Sequence, residues 1–199
     1  VAELTYTLTQ VGNVPELKTV NEAVAEAPNS WVRVKGVVTA LSKYGIVVAN
    51  TKGGAIFCDD ITTVAVGDSV HVSGNLTGDR KFHQLDNCYC EEIPADSEAV
   101  YPTPVAVTPE LIAGIANRSA NETLQYITFT GRAEADGTYG DIKFAVGNYW
   151  LKPYSVHSNV YVKKAIDKDV EVYGYAYQLK DSDLRFVITD LKWPADATE

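Results

Sequence analysis

Methionine is absent from all 199 residues, so Val1 is not expected to be a translational start, and the chain is expected to be a processed or trimmed piece. Cysteine is scarce. Its three copies, Cys58, Cys88 and Cys90, all fall in the first half, and no Cys-x2-Cys pair of the kind that holds structural zinc occurs. No stretch approaches the roughly 18 to 20 consecutive apolar residues of a membrane-crossing helix, so no transmembrane segment is expected. Positive charge is also short, with 17 Lys and Arg against 26 Asp and Glu and a net charge of −9. Binding to phosphates through counterion release needs clustered cations. Tight non-specific binding to nucleic acid is therefore not expected unless Lys143, Lys152, Lys163, Lys164, Lys180 and Arg185 gather on one face. Catalytic signatures are missing as well: there is no phosphate-cradling glycine loop, dinucleotide fingerprint, zinc-protease helix or nucleophile elbow. The chain reads as non-catalytic, with no cofactor and no metal.

What is present is apolar residues at 46%, twelve tyrosines, many Val and Thr, and frequent Gly, Asn and Asp at turns. That mixture favours a packed all-β protein. An internal repeat organises it. Pro15-Glu16-Leu17 is matched by Pro109-Glu110-Leu111, and the strand Val32–Val37, running through Gly36, by Ile127–Arg132, running through Gly131. Gly67-Asp68-Ser69-Val70-His71-Val72-Ser73-Gly74 is then matched by Asp167-Lys168-Asp169-Val170-Glu171-Val172-Tyr173-Gly174, and Pro94 and Pro194 close both copies. Four landmarks in one order divide the chain into residues 1–100 and 101–199. The Pro- and Ala-rich stretch 95–107 between them reads as a short, stiff linker.

In the first copy, Asn13 and Glu16 have capping-box spacing, and Leu17, Val20 and Val24 share a helical face, which predicts a helix over about 15–27. Strands follow at about 31–41, 44–50, 54–58, 68–75 and 82–93, with an irregular stretch after the third. The second copy has a short helix after Thr108-Pro109 and strands at about 124–135, 140–146, 148–154, 168–178 and 184–193. Five strands with an irregular connection after the third match the partly open Greek-key barrel of the OB-fold. The predicted fold is therefore all-β, two tandem OB-fold-like five-stranded barrels, each with a short helix. Glycines 36, 74, 131 and 174 are expected at barrel corners, and Trp31 and Trp193 at barrel ends or the junction.

The strand entering Gly36, the apolar third strand ending Cys58-Asp59-Asp60, and Val66-Gly67-Asp68-Ser69-Val70-His71-Val72-Ser73-Gly74 together resemble OB-fold domains of secreted or lipid-anchored proteins of gut Bacteroidetes, a group often labelled nucleic-acid-binding lipoproteins. The resemblance covers about residues 30–93 well and 124–193 more loosely, where Asp167-Lys168-Asp169 replaces Gly67-Asp68-Ser69. It implies a cell-envelope, secreted or lipid-anchored location and a binding role, and it supplies no catalytic residues.

OB-folds that bind oligonucleotides or oligosaccharides use the face of strands two and three, with the loops after strands one and four. In the first copy that region holds Lys43, Tyr44, Phe57, Arg80, Lys81 and His83. In the second it holds Tyr139, Lys143, Tyr149, Trp150, Lys152, Tyr154, Lys180 and Arg185. Alternation along Asp141 to Val146 turns Ile142, Phe144 and Val146 inward and Lys143 and Ala145 outward, with one of Tyr149 and Trp150 facing out. An outward aromatic beside lysines suits a stacked base or sugar ring. Strand aromatics also pack inside barrels or between domains, and Phe57 and Trp150 are open to that reading. Cys58 lies within reach of a disulfide to Cys88 or Cys90, of a buried free thiol, or of a metal site with His83. His71 between Ser69 and Ser73 reads as part of a polar outer face, and Asp181/Asp183 as a solvated turn. The functional expectation is a binding protein for an extended polymer, single-stranded nucleic acid or glycan. The alternative is an adaptor that contacts a partner protein.

Overall fold

The computed structural model of the chain describes residues 14–50, 54–78, 81–94, 100–137, 141–156 and 162–193. The first part carries β1 (Leu17–Lys18), α1 (Val20–Ala23), β2 (Trp31–Ser42), β3 (Gly45–Ala49), β4 (Ala55–Asp59), β5 (Ser69–Thr77) and β6 (Gln84–Ile93). The second carries β7 (Val105–Ala106), α2 (Pro109–Ala116), β8 (Gln125–Arg132), β9 (Glu134–Asp136), β10 (Asp141–Val146), β11 (Tyr149–Pro153), a 3₁₀ turn (Val162–Ala165), β12 (Asp169–Lys180) and β13 (Asp183–Lys192). No helix among the described residues is long and apolar enough to cross a membrane.

The protein is all-β and built of two OB-fold-like barrels. In the first sheet the order is β1-β2-β3-β4-β6-β5, and β5 returns to β2 to close the barrel. The β4–β6 pair is parallel, while β2–β3, β3–β4, β5–β6 and β2–β5 are antiparallel. In the second sheet the order is β7-β8-β12-β13-β11-β10-β9; its parallel pair β11–β13 takes the place of β4–β6, and its short β7 pairs in parallel with β8 as β1 does with β2. Its first long strand is broken at Ala133, whose amide and carbonyl bond to Lys168 and Asp167 beyond the 3₁₀ turn. On one side of the break β8 pairs with β12, and on the other β9 pairs with β10. The bent strand thus spans both flanks of the barrel.

The helix of the first copy is shorter than the sequence predicts. Leu17 and Lys18 pair in parallel with Arg33 and Val34 of β2, which holds them extended. The capping box is Thr19 and Glu22: the Thr19 hydroxyl accepts from the Glu22 amide at 3.3 Å, and the Glu22 carboxylate accepts from the Thr19 amide at 2.8 Å. Helix α1 starts at Val20, and the expected cap Asn13 lies outside the described residues. Helix α2 begins where expected, with the Thr108 hydroxyl accepting from the Leu111 amide and Pro109 in the first turn, where its missing N–H costs nothing.

Gly36 and Gly174 mark close strand approaches. A Cβ at either would sit 2.5 Å from a backbone carbonyl oxygen, that of Ala49 or Val187. Gly131 is different, because a Cβ there would meet only Phe144 at 3.6 Å, so close approach does not require glycine at that position. The two tryptophans expected at barrel ends are not plugs: Trp31 is 46% exposed and Trp193 38%, the latter with the Lys168 ammonium 4.8 Å over its ring. For Trp193, charged cover outside the barrel takes the place of burial.

One apolar cluster fills the first barrel, with Val34, Val38, Ile46, Val48, Ile56, Val70, Val72 and Leu85 at its centre. A second runs across both barrels, joining Val47, Ala49, Ala55 and Phe57 to Ile112, Leu124, Tyr126, Tyr175 and Phe186. Alternate residues of β3 and β4 therefore serve two different cores, and both strands are buried on both faces.

Candidate ligand-binding face of the second barrel

The face of the first barrel where OB-folds take ligands is filled by the second barrel. Phe57, fully buried, lies against Tyr177 at 4.5 Å and edge-on to Tyr154 at 5.8 Å. The Tyr177 hydroxyl donates to Gln84 Oε1 at 3.0 Å, and the Tyr101 hydroxyl to the Thr39 carbonyl at 3.0 Å. Both flanking loops join the contact. The Lys43 amide donates to the Ser155 carbonyl at 2.7 Å and the His83 amide to the Glu122 carbonyl at 2.8 Å. The Lys81 ammonium donates to the Arg118 carbonyl at 2.9 Å, and Arg118 lies 5.2 Å over the Phe82 ring. Burial holds the half-buried His83 imidazole below its ordinary pKa, which keeps that ring neutral at pH 7.

Of the residues predicted for the first copy, then, Lys81 and His83 serve the junction. Tyr44, 47% exposed, sits at its rim, 6.5 Å from Tyr154 and with the Lys43 ammonium 5.2 Å over its ring. Tyr154, predicted for the second site, belongs to the junction too. Arg80 and Tyr139 lie outside the described residues.

The corresponding face of the second barrel is partly exposed, with Ala145 exposed and Lys143, Trp150 and Lys152 half-buried. Along β10, Ile142 and Phe144 are buried, and along β11 Leu151 is buried between Trp150 and Lys152, so Lys143, Ala145, Trp150 and Lys152 take the outer positions. Tyr149 packs against the core. The Lys143 ammonium lies over the Trp150 ring, 4.0 Å from its centroid, and the residues opposite Trp150 are the small Ala145 on β10 and Asp183 on β13. The Trp150 amide donates to the Ser182 carbonyl at 3.0 Å, which ties β11 to the β12–β13 turn carrying Lys180. Arg185 faces Lys152 across the β11–β13 ladder. Lys163 and Lys164 sit on the 3₁₀ turn, off these strands.

Two carboxylates govern this face. Lys152 Nζ lies 3.1 Å from Asp136 and 3.0 Å from Asp183, and Lys143 Nζ lies 3.9 Å from Asp136. The hydrogen bond to Asp183, reinforced by Asp136, raises the Lys152 pKa above its ordinary value. Asp183, read from the sequence as part of a solvated turn, is thus a strand residue in an ion pair. Asp136 was not legible as a partner, because the break at Ala133 that brings it beside β10 depends on contacts with residues 167 and 168. The side chains of all four groups are 23% to 31% exposed, so the ion pairs remain open to solvent and salt.

His71 is held by Arg33 Nη2 at 3.2 Å, which in turn donates to Glu91 at 3.0 Å. The three cysteines are free thiols. Among the described residues no three His, Cys, Asp or Glu side chains gather as a metal site. Among the described residues of the first barrel, a cavity of about 230 Å³ between β1 and β2 is bordered by Leu17, Lys35 and Val100, and another of about 390 Å³ lies beside Trp31 and the Lys18–Glu26 ion pair.

No protein-family model matches the chain, and no curated protein matches it. Among solved structures it is similar to a chain of a replication protein A heterotrimer bound to ssDNA, at 8% identity, covering 92% of this chain and 70% of that one with a TM-score of 0.34. It is also similar to a chain from a structure described as structural mimicry for functional antagonism, at 8% identity, covering 82% of this chain and 93% of that one with a TM-score of 0.39.

Proposed function

We propose that this protein is a non-catalytic OB-fold binding protein that holds an extended polymer across the outer face of its second barrel, in the secreted or surface-anchored setting that the family resemblance implies. The observation that carries the reading is Trp150: an aromatic ring on the outer side of β11, with Lys143 4.0 Å from its centroid, the small Ala145 opposite it on β10 and Asp183 opposite it on β13. Flat rings stack on such a platform, and each stacked base is worth about 1–3 kcal/mol. Titration calorimetry of the intact chain with short single-stranded oligonucleotides and soluble glycans tests it. Trp150→Ala should weaken binding by about ten- to a hundredfold. Unchanged binding by the variant would remove this face from the account.

A second reading, an adaptor for a partner protein, is favoured by Tyr89 and Trp31, 69% and 46% exposed on the outer side of β6 and β2. Exposed aromatics of this kind are common anchors of protein interfaces. A photoreactive group placed at Tyr89 in the native cell checks it. A specific protein adduct supports the adaptor, whereas labelling no different from that at an ordinary surface position counts against it.

A further inference from the structure

We infer that the polymer held by this face is a neutral glycan, recognised by the Trp150 platform together with the Asp136 and Asp183 carboxylates; the inference rests on the polymer-binding reading above. The first argument is electrostatic. Phosphate binding draws its free energy from cations that are free to replace condensed counterions. Here Lys152 is already shared between Asp136 and Asp183, at 3.1 and 3.0 Å, and Lys143 leans on Asp136. A phosphate placed on either ammonium would have to displace a carboxylate or lie beside one. Lys180 and Arg185 are the further cations of the region; the exposed Asp181 follows Lys180 in sequence, and on the neighbouring strands the exposed Glu134 pairs with Lys143 and the exposed Asp141 with Asp136. The face carries no net positive charge, within a chain whose net charge is −9.

The second argument concerns hydrogen-bond donors. Asp136 and Asp183 are 31% and 25% exposed, and their remaining lone pairs only accept. A DNA backbone offers them no donor, whereas every ring of a neutral glycan carries several hydroxyls. Hydroxyl-to-carboxylate bonds are short and roughly twice as strong as neutral ones. Lys152 between the two carboxylates supplies donors for hydroxyl or ring oxygens. The third argument is shape. Ala145 opposite Trp150 leaves a step beside the indole on which the C–H face of a sugar ring can rest, with its equatorial hydroxyls directed toward the flanking carboxylates.

The test is calorimetry on the intact chain with neutral hexasaccharides of glucose, mannose and xylose, a sulfated hexasaccharide, and an oligothymidylate, each at about 50 and 200 mM salt, the interval over which a protein making several phosphate contacts loses orders of magnitude in affinity. Two variants accompany it, Trp150→Ala and the isosteric Asp183→Asn, the second keeping the test open if the first fails to fold. Binding of a neutral hexasaccharide that changes less than twofold with salt, falls at least fivefold in Asp183→Asn and is lost in Trp150→Ala is the expected result. Salt-sensitive binding of oligothymidylate or the sulfated sugar that Asp183→Asn strengthens and Trp150→Ala removes would overturn the glycan assignment and leave the polymer-binding face standing. No binding to any probe, or binding that neither variant alters, would overturn both.

Discussion

Phe57 is fully buried although its side chain points out of the barrel whose strand carries it. The run Ala55-Ile56-Phe57-Cys58 puts apolar side chains on both faces of β4, and a strand that is apolar on both faces has both faces covered. That much is legible in the sequence. The identity of the cover is not, because Tyr154 and Tyr177 lie about a hundred positions away and no local pattern names them. Phe57→Ala leaves a cavity between the barrels and should destabilise the protein by about 3–5 kcal/mol, read from the denaturant midpoint at constant slope. Tyr44→Ala, at the exposed rim of the same contact, should cost far less.

The thiols give a second prediction at this scale. Burial, reinforced by the Cys88 thiol, pushes the Cys58 pKa well above its ordinary value, and burial takes Cys90 to about 11. The folded protein therefore keeps these protons at pH values where the unfolded chain, with thiols ionising near about 8.5, has released them. Stability is full below that pH and declines as pH rises through it, with Cys58 contributing a slope of up to about 1.4 kcal/mol per pH unit. The part due to Cys90 stops growing once the pH passes about 11. Denaturant unfolding between pH 7 and 10 should show the decline, and Cys58→Val should flatten it.

Among elements, the strands were the most legible part. Their alternation and the turn residues between them give bounds within a residue or two of β2 to β6, and Asp60, Asn87, Asp167 and Asp181 take the left-handed backbone conformation that short polar side chains tolerate. Where prediction and structure part, a non-local pairing has overridden a local preference. Leu17 and Lys18 fit a helix but pair with β2, and the strand through Ala133 breaks because residues beyond the 3₁₀ turn bond into it. The glycines divide in the same way. Gly174→Ala would force β12 and β13 apart at the Val187 carbonyl and should cost about 1–3 kcal/mol, as overpacking does. Gly131→Ala has room and should be far milder, although the repeat makes both look like corner glycines. Thermal unfolding of the two variants side by side checks the contrast.

For the whole molecule, the repeat gives each barrel a candidate binding face, with the better candidate on the second. The packing separates the two. The first barrel packs the face of β3 and β4, and the loops bearing Lys43 and His83, against the second barrel, while the outer residues of β10 and β11 stay partly exposed. Aromatic residues on strands that suit a stacked ligand suit a stacked tyrosine equally well, so composition alone had no means of telling an occupied face from a free one. The asymmetry predicts one polymer site per chain. Calorimetry with a hexasaccharide or oligonucleotide that binds should give a stoichiometry near one, and Lys43→Ala and Lys81→Ala should leave the affinity within about twofold while Lys152→Ala weakens it. Two equivalent sites would require Phe57 to leave Tyr154 and Tyr177, and Phe57→Ala would then raise the affinity of the second site rather than merely lower stability.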